Sequence, residues 1–409
     1  MMTIFAAAAP GLAGEASDGI PIVAYWSVPL DQTSVEAYRL MADGGITHGI
    51  LPHQWKSSLS EVGPALDAAQ AASIKLIPSC NELKNQPETA AAQLKSHPAL
   101  AGYFVADEPS AADFPALAET IARIRSVDTN HPCYINLLPN YASSTQLGTS
   151  TYQAHIDKFL AQVPVEFLSF DNYPITKYAI RSGWYQNLEI VSKAAKAKGI
   201  PFWAFALTST HWQYTPATLP QLRLQMNANL AYGAQVLQYF PYWQPNSAHF
   251  YCPINPDGTK GPLYESVKTL NDEIQAVASV FKGAGVLRLG HTGKKDQWWD
   301  AGKLGTNVPS QVEGAVPSGT VRYQPAAPVA SLVAQGKDGA IVSELAKGNE
   351  RSLVVVNKDY AHVMVLMVTF DGSKAIAIVG KDGSAQPLEG TTFKKLVQPG
   401  DMAIFYWDE

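Results

Sequence analysis

The sequence predicts an α/β protein, a (β/α)8 TIM barrel followed by a small antiparallel β-sandwich. Two observations support the barrel. Short apolar runs alternate with amphipathic helical segments from Gly19 to Gly283, and successive runs begin roughly 25 to 35 residues apart, as right-handed strand–helix units require. A third observation supports the sandwich: beyond Gly283 the helical periodicity stops, and short β-branched runs follow between Gly- and Pro-rich turns.

Eight apolar runs supply the predicted barrel strands. They are Ile20–Val28, Ile46–His53, Ile74–Cys80, Ala101–Asp107, Pro132–Leu138, Glu166–Tyr173, Pro201–Thr208 and Ala234–Trp243. The predicted helices are Ser34–Ala42, Val62–Ala72, Ala111–Ser126, Thr151–Gln162, Trp184–Lys198, Gln221–Tyr232 and Leu263–Phe281. A doubly wound open sheet is the alternative, but it normally carries a glycine-rich phosphate loop after a strand, and the sequence contains no such motif.

The C-terminal part reads as a second domain. Its predicted strands are Ala340–Leu345, Ser352–Asn357, Val363–Phe370, Ala375–Val379, Thr392–Leu396 and Met402–Trp407. We therefore expect a flexible N-terminus at 1–18, a catalytic barrel at 19–286, a connection at 287–326 and a sandwich at 327–409. The sandwich carries no catalytic constellation, so we expect it to stabilise the protein or to contact sugar.

Composition excludes several classes of function. The net charge is −5 and no basic run occurs, which argues against nucleic-acid partners. No stretch approaches the roughly 20 apolar residues of a membrane span, so we expect no membrane insertion. Cys80, Cys133 and Cys252 lack metal-ligand spacing and the His residues are scattered, so we predict no metal and no cofactor. The cysteines are interpreted as buried thiols, with one disulfide as the alternative. The sequence leaves the oligomeric state open.

The first residues, MMTIFAAAAPGLAGEAS, have a short apolar core and small residues but no positively charged n-region. This stretch is either a signal-peptide remnant or a flexible terminus. We favour a secreted or periplasmic protein, and the sequence does not exclude a cytoplasmic one.

The stretch Ala101–Pro109, AGYFVADEP, places two adjacent carboxylates where a buried strand ends. In a TIM barrel, active residues lie at the C-terminal ends of the strands. The other polar and aromatic side chains at these ends are candidate substrate contacts: Trp26, His53, Gln54, Trp55, Glu82, Asn136, Tyr173, His211, Trp212, Gln238, Tyr239 and Trp243. Aromatic faces stack on sugar rings and amides bind hydroxyl groups, although either type also fills protein cores. We therefore expect an oligo- or polysaccharide partner.

Cleavage of a glycosidic bond requires one carboxyl group that protonates the departing oxygen, and usually a second that acts as nucleophile or base. Glu108 is the candidate general acid, because burial and the neighbouring Asp107 would both disfavour its charged form. Asp171, at the end of the sixth predicted strand, is the candidate second carboxylate.

Several motifs resemble a known family. The Asp-Glu-Pro stretch at 107–109 is similar to the Asn-Glu end of the fourth strand in a large clan of (β/α)8 glycoside hydrolases, where the glutamate is the acid/base. SFDNYPI resembles the Asp-x-Tyr-Pro end in family 42 β-galactosidase-like barrels, and INPDGTKGPLYESVKTLNDEI resembles the segment that leads into their last helix. LVVVNKD and VQPGDMAIF are similar to the sandwiches that follow such barrels. The resemblance covers nearly the whole chain at the level of a clan, and it implies a glycosidase with Glu108 as acid/base.

Two positions depart from that clan. Asp107 replaces its Asn, and the seventh strand, PFWAFALTSTHW, lacks the glutamate that is the clan's nucleophile. Three interpretations remain. Asp171 is the partner of Glu108 across a gap wide enough for water, which suits inversion; or Asp107 and Glu108 act together on an N-acetylated sugar that supplies its own nucleophile, as in β-hexosaminidase-like barrels; or Glu82 contributes.

Two other classes of function also remain open. One is a carbohydrate-binding barrel that has lost its nucleophile and is catalytically inactive. The other is a polysaccharide lyase or transglycosidase that uses the same end of the barrel.

Overall fold

The computed structural model describes residues 19–51, 57–293 and 314–409. Three groups of sequence predictions therefore lie outside the described residues: the N-terminus at 1–18, the candidate contacts His53, Gln54 and Trp55, and residues 294–313 of the predicted connection. The chain divides into two compact units. The first contains the described residues up to Ala217 together with Ala234–Asp272, and the second contains Thr218–Gly233 and Glu273–Glu409.

A sheet of eight parallel strands forms the centre of the first unit. The strands are β1 (Ile22–Tyr25), β2 (His48–Leu51), β3 (Lys75–Pro78), β4 (Tyr103–Asp107), β5 (Cys133–Leu137), β6 (Leu168–Phe170), β7 (Phe202–Leu207) and β8 (Val236–Phe240). Their order is β3-β2-β1-β8-β7-β6-β5-β4. Between β3 and β4, the backbone N–H of Leu76 donates to Ala99 at 2.7 Å and its carbonyl accepts from Ala101 at 2.8 Å. The predicted TIM barrel is thus confirmed as a nearly closed cylinder.

The helices of the described residues follow the predicted alternation. They are α1 (Val35–Asp43), α2 (Leu59–Ala71), α3 (Asn81–Asn85), α4 (Pro87–Leu94), α5 (Phe114–Arg125), α6 (Ser144–Leu147), α7 (Tyr152–Gln162), α8 (Trp184–Lys198), α9 (Leu219–Ala231), α10 (Tyr264–Ala276) and α11 (Ala278–Phe281). The sequence did not predict α3 and α4, because Pro87 interrupts the helical period. Proline is favoured in the first turn of a helix, and Pro87 begins α4.

Alternate side chains of the strands fill the barrel interior, as the two-residue period of a strand requires. Aromatic rings make up much of this core, and Phe167 stacks on Trp203 with ring centroids 3.9 Å apart. The buried interior residues are Val23, Tyr25, Ile50, Ile77, Ala101, Phe104, Tyr134, Phe167, Tyr173, Trp203, Phe205, Leu207, Tyr214 and Val236.

Two antiparallel sheets form the predicted sandwich in the second unit. Its strands are β9 (Gly285–His291), β10 (Val329–Gln335), β11 (Ala340–Lys347), β12 (Glu350–Asn357), β13 (Met364–Phe370), β14 (Ala377–Val379), β15 (Ala385–Pro387), β16 (Thr392–Val397) and β17 (Met402–Asp408). One sheet has the order β10-β13-β16 and the other β15-β14-β17-β12-β11-β9. Leu287–His291, which the sequence assigned to the connection, belongs to β9 and pairs with β11.

Two predictions made from the composition concern the cysteines and the membrane-spanning segments. The three cysteines are buried and none forms a disulfide, which agrees with the buried-thiol interpretation. Within the described residues, the helices are too short or too polar to cross a bilayer.

The side chain of Asn271 links α10 to the barrel through two hydrogen bonds. Its side chain is fully buried; the amide Nδ2 donates to the carbonyl of Gly44 at 2.7 Å, and Oδ1 accepts from the hydroxyl of Tyr239 at 2.8 Å. Gly45 lies against the same side chain with a positive φ of 76°, and a Cβ there would come within 2.7 Å of Asn271 Cβ. Both polar atoms of the amide are thus paired in a site without room for another side chain.

We expect Asn271→Ala to lower the free energy of unfolding by about 2–3 kcal/mol, because it leaves the Tyr239 hydroxyl and the Gly44 carbonyl buried without this partner. Urea denaturation followed by tryptophan fluorescence measures the loss. Asn85→Ala is the matched control, because Asn85 is exposed on α3 and bonds only within its own turn in the contacts described. Equal losses for the two variants would contradict the assignment.

Candidate active site

Glu108 directly follows β4 at the C-terminal end of the barrel. Its side chain is exposed, and its backbone N–H donates to the carbonyl of Asn136 at 2.8 Å. The residue has a φ of 49°, in the left-handed region that non-glycine residues seldom adopt. Such strain is found where surrounding contacts hold a functional side chain in one direction. The structure thus presents the Glu108 carboxyl at the open end of the barrel.

A β-bulge determines the position of Asp107. The pairing of β4 with β5 shifts by one residue between Phe104 and Ala106, so that Asp107 lies opposite Asn136. A regular ladder would bring Ala106 to that position, because a one-residue slip exchanges the two faces of a strand. The Asn136 amide donates to Asp107 Oδ1 at 3.1 Å. The bulge therefore directs a carboxylate, rather than a methyl group, into the barrel.

Asp171 follows β6 and is only 7% exposed. Burial raises the pKa of its carboxyl well above the ordinary value, and the negative charges of Glu108 and Asp107 raise it further. A hydrogen bond from Tyr173 acts in the opposite direction, while a hydrogen bond with Glu108 raises the pKa again. Among the described residues, Asp171 Oδ1 has no hydrogen-bond partner. The buried member of the pair is thus the one that favours the protonated form.

Asp171 and Glu108 are neighbours at the C-terminal end of the barrel. The negative charge of Glu108 and its interaction with the Asp171 side chain both raise the pKa of the Asp171 carboxyl. From their positions after the fourth and sixth predicted strands we expected a gap wide enough for a water, and that separation stays a prediction. The two carboxyls are thus close enough for the charge of one to act on the other.

A chain of hydrogen bonds crosses the barrel interior and ends at Asp107. The Tyr134 hydroxyl donates to Gln238 Oε1 at 2.8 Å, and Gln238 Nε2 donates to Ser169 Oγ at 2.9 Å. Ser169 Oγ lies 3.0 Å from Asn136 Oδ1, and the Asn136 amide completes the chain to Asp107. Gln238, Ser169 and Asn136 are all buried. In the structure, Gln238 and Asn136 thus bind protein groups.

An aromatic wall lines the site on the side of β6, β7 and β8. Tyr173 stacks on Phe240 with ring centroids 5.3 Å apart and meets Tyr214 edge to face. We define the aromatic wall by seven ring-bearing residues, each of which contacts at least one other of the set: Tyr173, Phe240, Trp26, His249, His211, Tyr214 and Trp212. The wall runs from the buried Asp171 to Trp212, which is 87% exposed.

Two residues of the aromatic wall share the strain seen at Glu108. Trp26 and Trp212 have φ values of 52° and 45°. His211, beside Trp212, is buried, and burial together with the nearby His249 lowers its pKa to about 4. Its Nδ1 lies 2.9 Å from Ser209 Oγ. The histidine is therefore neutral near pH 7, and it adds polar ring nitrogens to the aromatic wall.

Three other predicted contacts lie away from the carboxyl groups. Tyr239 is on the outer face of β8, where it bonds to Asn271. Trp243 is buried against the loop at Gly258. Glu82 Oε2 accepts from the backbone N–H of Leu59 at 2.9 Å, and so it caps the first turn of α2. The remaining predicted contacts, His53, Gln54 and Trp55, lie outside the described residues.

Sequence reasoning did not single out several residues that the structure places here. They are Tyr25, Tyr134, Tyr141, Ser169, Tyr214, Phe240 and His249. The two-residue period of a strand could have identified two of them. Tyr134 stands two residues before Asn136 and Ser169 two residues before Asp171, so each shares a strand face with a predicted site residue. For Tyr141 and His249, which lie in loops, no such period applies.

Within the part of the chain that the structure describes, no group of three or more His, Cys, Asp or Glu side chains is arranged to hold a metal ion. The chemistry available from these residues is that of carboxyl groups, with hydrogen bonds and aromatic surfaces around them.

Comparisons with known proteins identify the fold. No protein-family model and no curated protein sequence matches this chain. A β-galactosidase from Bacillus circulans sp. alkalophilus has a similar structure, with a TM-score of 0.62 and 9% identity over 97% of this chain and 100% of that one. A catalytic mutant of a GH42 β-galactosidase from G. stearothermophilus also has a TM-score of 0.62, with 7% identity over 96% and 99%.

A third structure is a mutant of a GH27 β-L-arabinopyranosidase from Geobacillus stearothermophilus in complex with arabinose. Its TM-score is 0.53, with 10% identity over 96% of this chain and 98% of that one. At these identities the likeness concerns the fold alone. The chain shares its barrel and sandwich with solved glycoside hydrolases.

We expect Asp171→Asn to raise the free energy of unfolding at pH 7 by roughly 1 kcal/mol or more, because the folded protein holds the Asp171 carboxyl protonated while the unfolded chain ionises it, and asparagine has no such cost. The folded-state pKa of Asp171 is raised above its unfolded value of about 3.9. Its stabilising contribution is therefore complete below that unfolded value and is lost as the pH rises through the folded-state pKa. Urea denaturation at pH 4, 5.5 and 7 should show a gain that shrinks towards pH 4.

Asp157→Asn is the control for this series, since Asp157 is exposed on α7. A loss of stability in Asp171→Asn at pH 7, or a gain that is the same at all three values, would show that the carboxyl is not held in its protonated form.

Proposed function

We propose that this protein is a glycosidase in which Glu108 is the general acid/base and Asp171 is the second carboxyl group. The observation that carries the proposal is that these two carboxyls lie close enough for the charge of Glu108 to raise the pKa of Asp171, beside Asp107 and the aromatic wall, at the end of a TIM barrel. Glycoside hydrolysis uses a pair of carboxyl groups with pKa values set apart by their surroundings. One of these two is exposed and the other is buried.

The proximity of the two carboxyls supports an assignment of roles. In the resting protein the proton stays on Asp171, whose buried carboxyl disfavours charge. Transfer of this proton to Glu108 gives a protonated Glu108 and an Asp171 carboxylate. Glu108 then protonates the departing glycosidic oxygen, the Asp171 carboxylate attacks the anomeric carbon, and the glycosidic bond breaks. In the second step the Glu108 carboxylate takes a proton from water, the water oxygen bonds to the anomeric carbon, and the bond from that carbon to Asp171 breaks.

The separation of the two carboxyls predicts whether hydrolysis retains or inverts the configuration at the anomeric carbon. Retaining glycosidases hold their carboxyls about 5 Å apart, and inverting ones roughly 6.5–9.5 Å apart. The effect of Glu108 on the pKa of Asp171 places the two carboxyls near each other, which favours the shorter separation. A sugar that binds beside them also gives Asp171 Oδ1 a partner. We therefore propose retention over the inversion that the sequence suggested.

The aromatic wall supports a carbohydrate substrate. Pyranose rings present apolar C–H faces, which stack on aromatic side chains while their hydroxyls bind polar groups. The wall extends from the carboxyls to the exposed Trp212 over several ring widths. A substrate that uses its whole length has more than one sugar residue, so we propose an oligo- or polysaccharide. A polysaccharide is usually met outside the cell, so we also propose that this protein is exported.

One observation favours a second candidate, a carbohydrate-binding barrel without turnover. The end of β7 carries Thr208, Ser209 and His211, and no carboxyl group stands where the clan has its nucleophile. A protein that binds oligosaccharides through the aromatic wall but releases no product from any of them would be of this kind.

We expect Glu108→Gln to lower kcat on an oligosaccharide by about 10²–10⁴-fold, because glutamine cannot protonate the departing oxygen. A dinitrophenyl glycoside of the same sugar should lose much less, since its leaving group departs without protonation. A screen of aryl glycosides and polysaccharides first identifies the substrate, and initial rates then measure both losses.

Glu119→Gln, an exposed substitution on α5, is the matched control for this experiment. If Glu108→Gln reduced both substrates equally, Glu108 would not be the acid. Binding without cleavage by the wild-type protein across the whole screen would establish the second candidate.

We expect Trp212→Ala to raise KM about tenfold for a long oligosaccharide, as the loss of one stacking contact of roughly 1 kcal/mol or slightly more predicts. The effect should be much smaller on a disaccharide, which does not reach along the wall, and Trp212→Phe should lie between the two. Steady-state kinetics against a series of chain lengths gives the comparison. An effect of equal size at every length would place Trp212 outside the substrate path.

A further inference from the structure

We propose that Asn136, Ser169 and Gln238 are positioning residues that hold the Asp107 carboxyl inside the barrel through a chain of buried hydrogen bonds, beside Glu108 and Asp171. This inference rests on the proposed function. It assigns a role to Asp107, which replaces the asparagine of similar barrels, and to three buried polar side chains that come from three different strands.

The hydrogen bonds of the network run in one direction. An amide group can donate only through nitrogen and accept only through oxygen. Gln238 accepts from Tyr134 through Oε1 and donates to Ser169 through Nε2, with distances of 2.8 and 2.9 Å. Asn136 accepts from Ser169 through Oδ1 at 3.0 Å and donates to Asp107 through Nδ2 at 3.1 Å. In each of these four bonds, the acceptor is therefore one step nearer to Asp107 along the chain than the donor.

This direction matches a negative charge at its end. Donors aligned along a buried chain polarise one another, and such a chain stabilises an anion at the acceptor end. Ser169 has one further acceptor within reach, the Tyr134 hydroxyl at 3.1 Å. If Ser169 turned to it, Asn136 Oδ1 would lose its donor and the amide would be free to rotate. Because Gln238 donates to the Ser169 oxygen, the single serine hydrogen is still available, and its acceptor Asn136 Oδ1 at 3.0 Å is slightly nearer than the Tyr134 hydroxyl at 3.1 Å.

The charge on Asp107 acts on the pair through space. It is one of the causes that raise the pKa of Asp171, after burial and the charge of Glu108. The other titratable groups around the two aspartates are Tyr25 from β1, Tyr134 from β5, Tyr152 from α7, and Tyr141 and Tyr173 from the loops. Burial raises the pKa of each tyrosine, so all five stay neutral. Arg181 adds a positive charge at the rim, where it bonds to the Tyr214 hydroxyl.

An asparagine at position 107 would accept the same hydrogen bond from Asn136 but would bear no charge. A negative charge a few ångströms from a carboxyl pair makes loss of the pair's proton less favourable. Asp107 thus extends the pH range over which the pair holds a proton, and the network keeps Asp107 in position. Removing either should shift the alkaline fall of activity to lower pH.

The test compares Asp107→Asn, Ser169→Ala and the double variant with the wild-type protein. The alkaline limb of kcat/KM should move to lower pH by roughly one pH unit in Asp107→Asn and by roughly half a unit in Ser169→Ala. The double variant should match Asp107→Asn alone, because the network acts only through that charge. KM should stay within about twofold while kcat at pH 7 to 8 falls.

Ser79→Ala is the matched control. Ser79 is as fully buried as Ser169, and its hydroxyl donates to the carbonyl of Leu51 at 2.8 Å, away from the network. The alkaline limb should not move in this variant. A shift in Ser79→Ala equal to that in Ser169→Ala, or full additivity in the double variant, would overturn the inference, because either result would show a general loss of packing.

A second measurement does not depend on activity. Titration of the protein labelled with ¹³C at its aspartate carboxyls gives the midpoint of Asp171, which is assigned by its absence in Asp171→Asn. The midpoint should fall in Asp107→Asn and, by less, in Ser169→Ala. An unchanged midpoint would overturn the inference. Absence of turnover in the wild-type protein together with a falling midpoint would overturn the proposed function while supporting the role of the network.

Discussion

Three carboxyl groups lie near one another at the end of a barrel lined by aromatic side chains. The rest of the site depends on how the protein limits the repulsion between their negative charges. Three ionised groups in such a place would repel one another strongly while being deprived of water. The structure meets this constraint in different ways for each group. Glu108 faces solvent, Asp107 receives the amide of Asn136, and Asp171 is in surroundings that favour its protonated form. Burial and the two neighbouring carboxyls thus keep Asp171 protonated to a higher pH than an ordinary aspartate.

The backbone is adapted to the same constraint. A bulge in β4 turns Asp107 inward, and a positive φ at Glu108 turns the next side chain towards the open end. Trp26 and Trp212 have the same strained conformation at the ends of other strands. Strain of this kind costs on the order of 1–3 kcal/mol per residue and persists only where surrounding contacts fix it. Glu108, Trp26 and Trp212 all have this conformation where their side chains surround the candidate site.

The fold does not by itself establish the chemistry, since TIM barrels host many unrelated reactions. The seventh strand lacks the acid that resemblance to the clan implies, and no carboxyl from β7 replaces it among the described residues. Asp171, after β6, is the carboxyl that lies beside Glu108 instead. The proposed site therefore pairs Glu108 with a carboxyl from another strand, and the aromatic wall gives it a surface suited to sugar rings.

The sequence by itself determined the eight strands, the sandwich and the placement of Glu108, Asp107 and Asp171 at strand ends, because hydrophobic period and strand order are local properties. It also marked Asn136, Trp26 and Trp212, but it could not separate Tyr239, which faces α10, from Gln238, its inward neighbour. The tertiary structure alone decided that Asp107 lies opposite Asn136 and that Gln238 donates to Ser169. Such contacts depend on barrel curvature and on a one-residue bulge, which join positions far apart in the chain and leave no periodic signal in it.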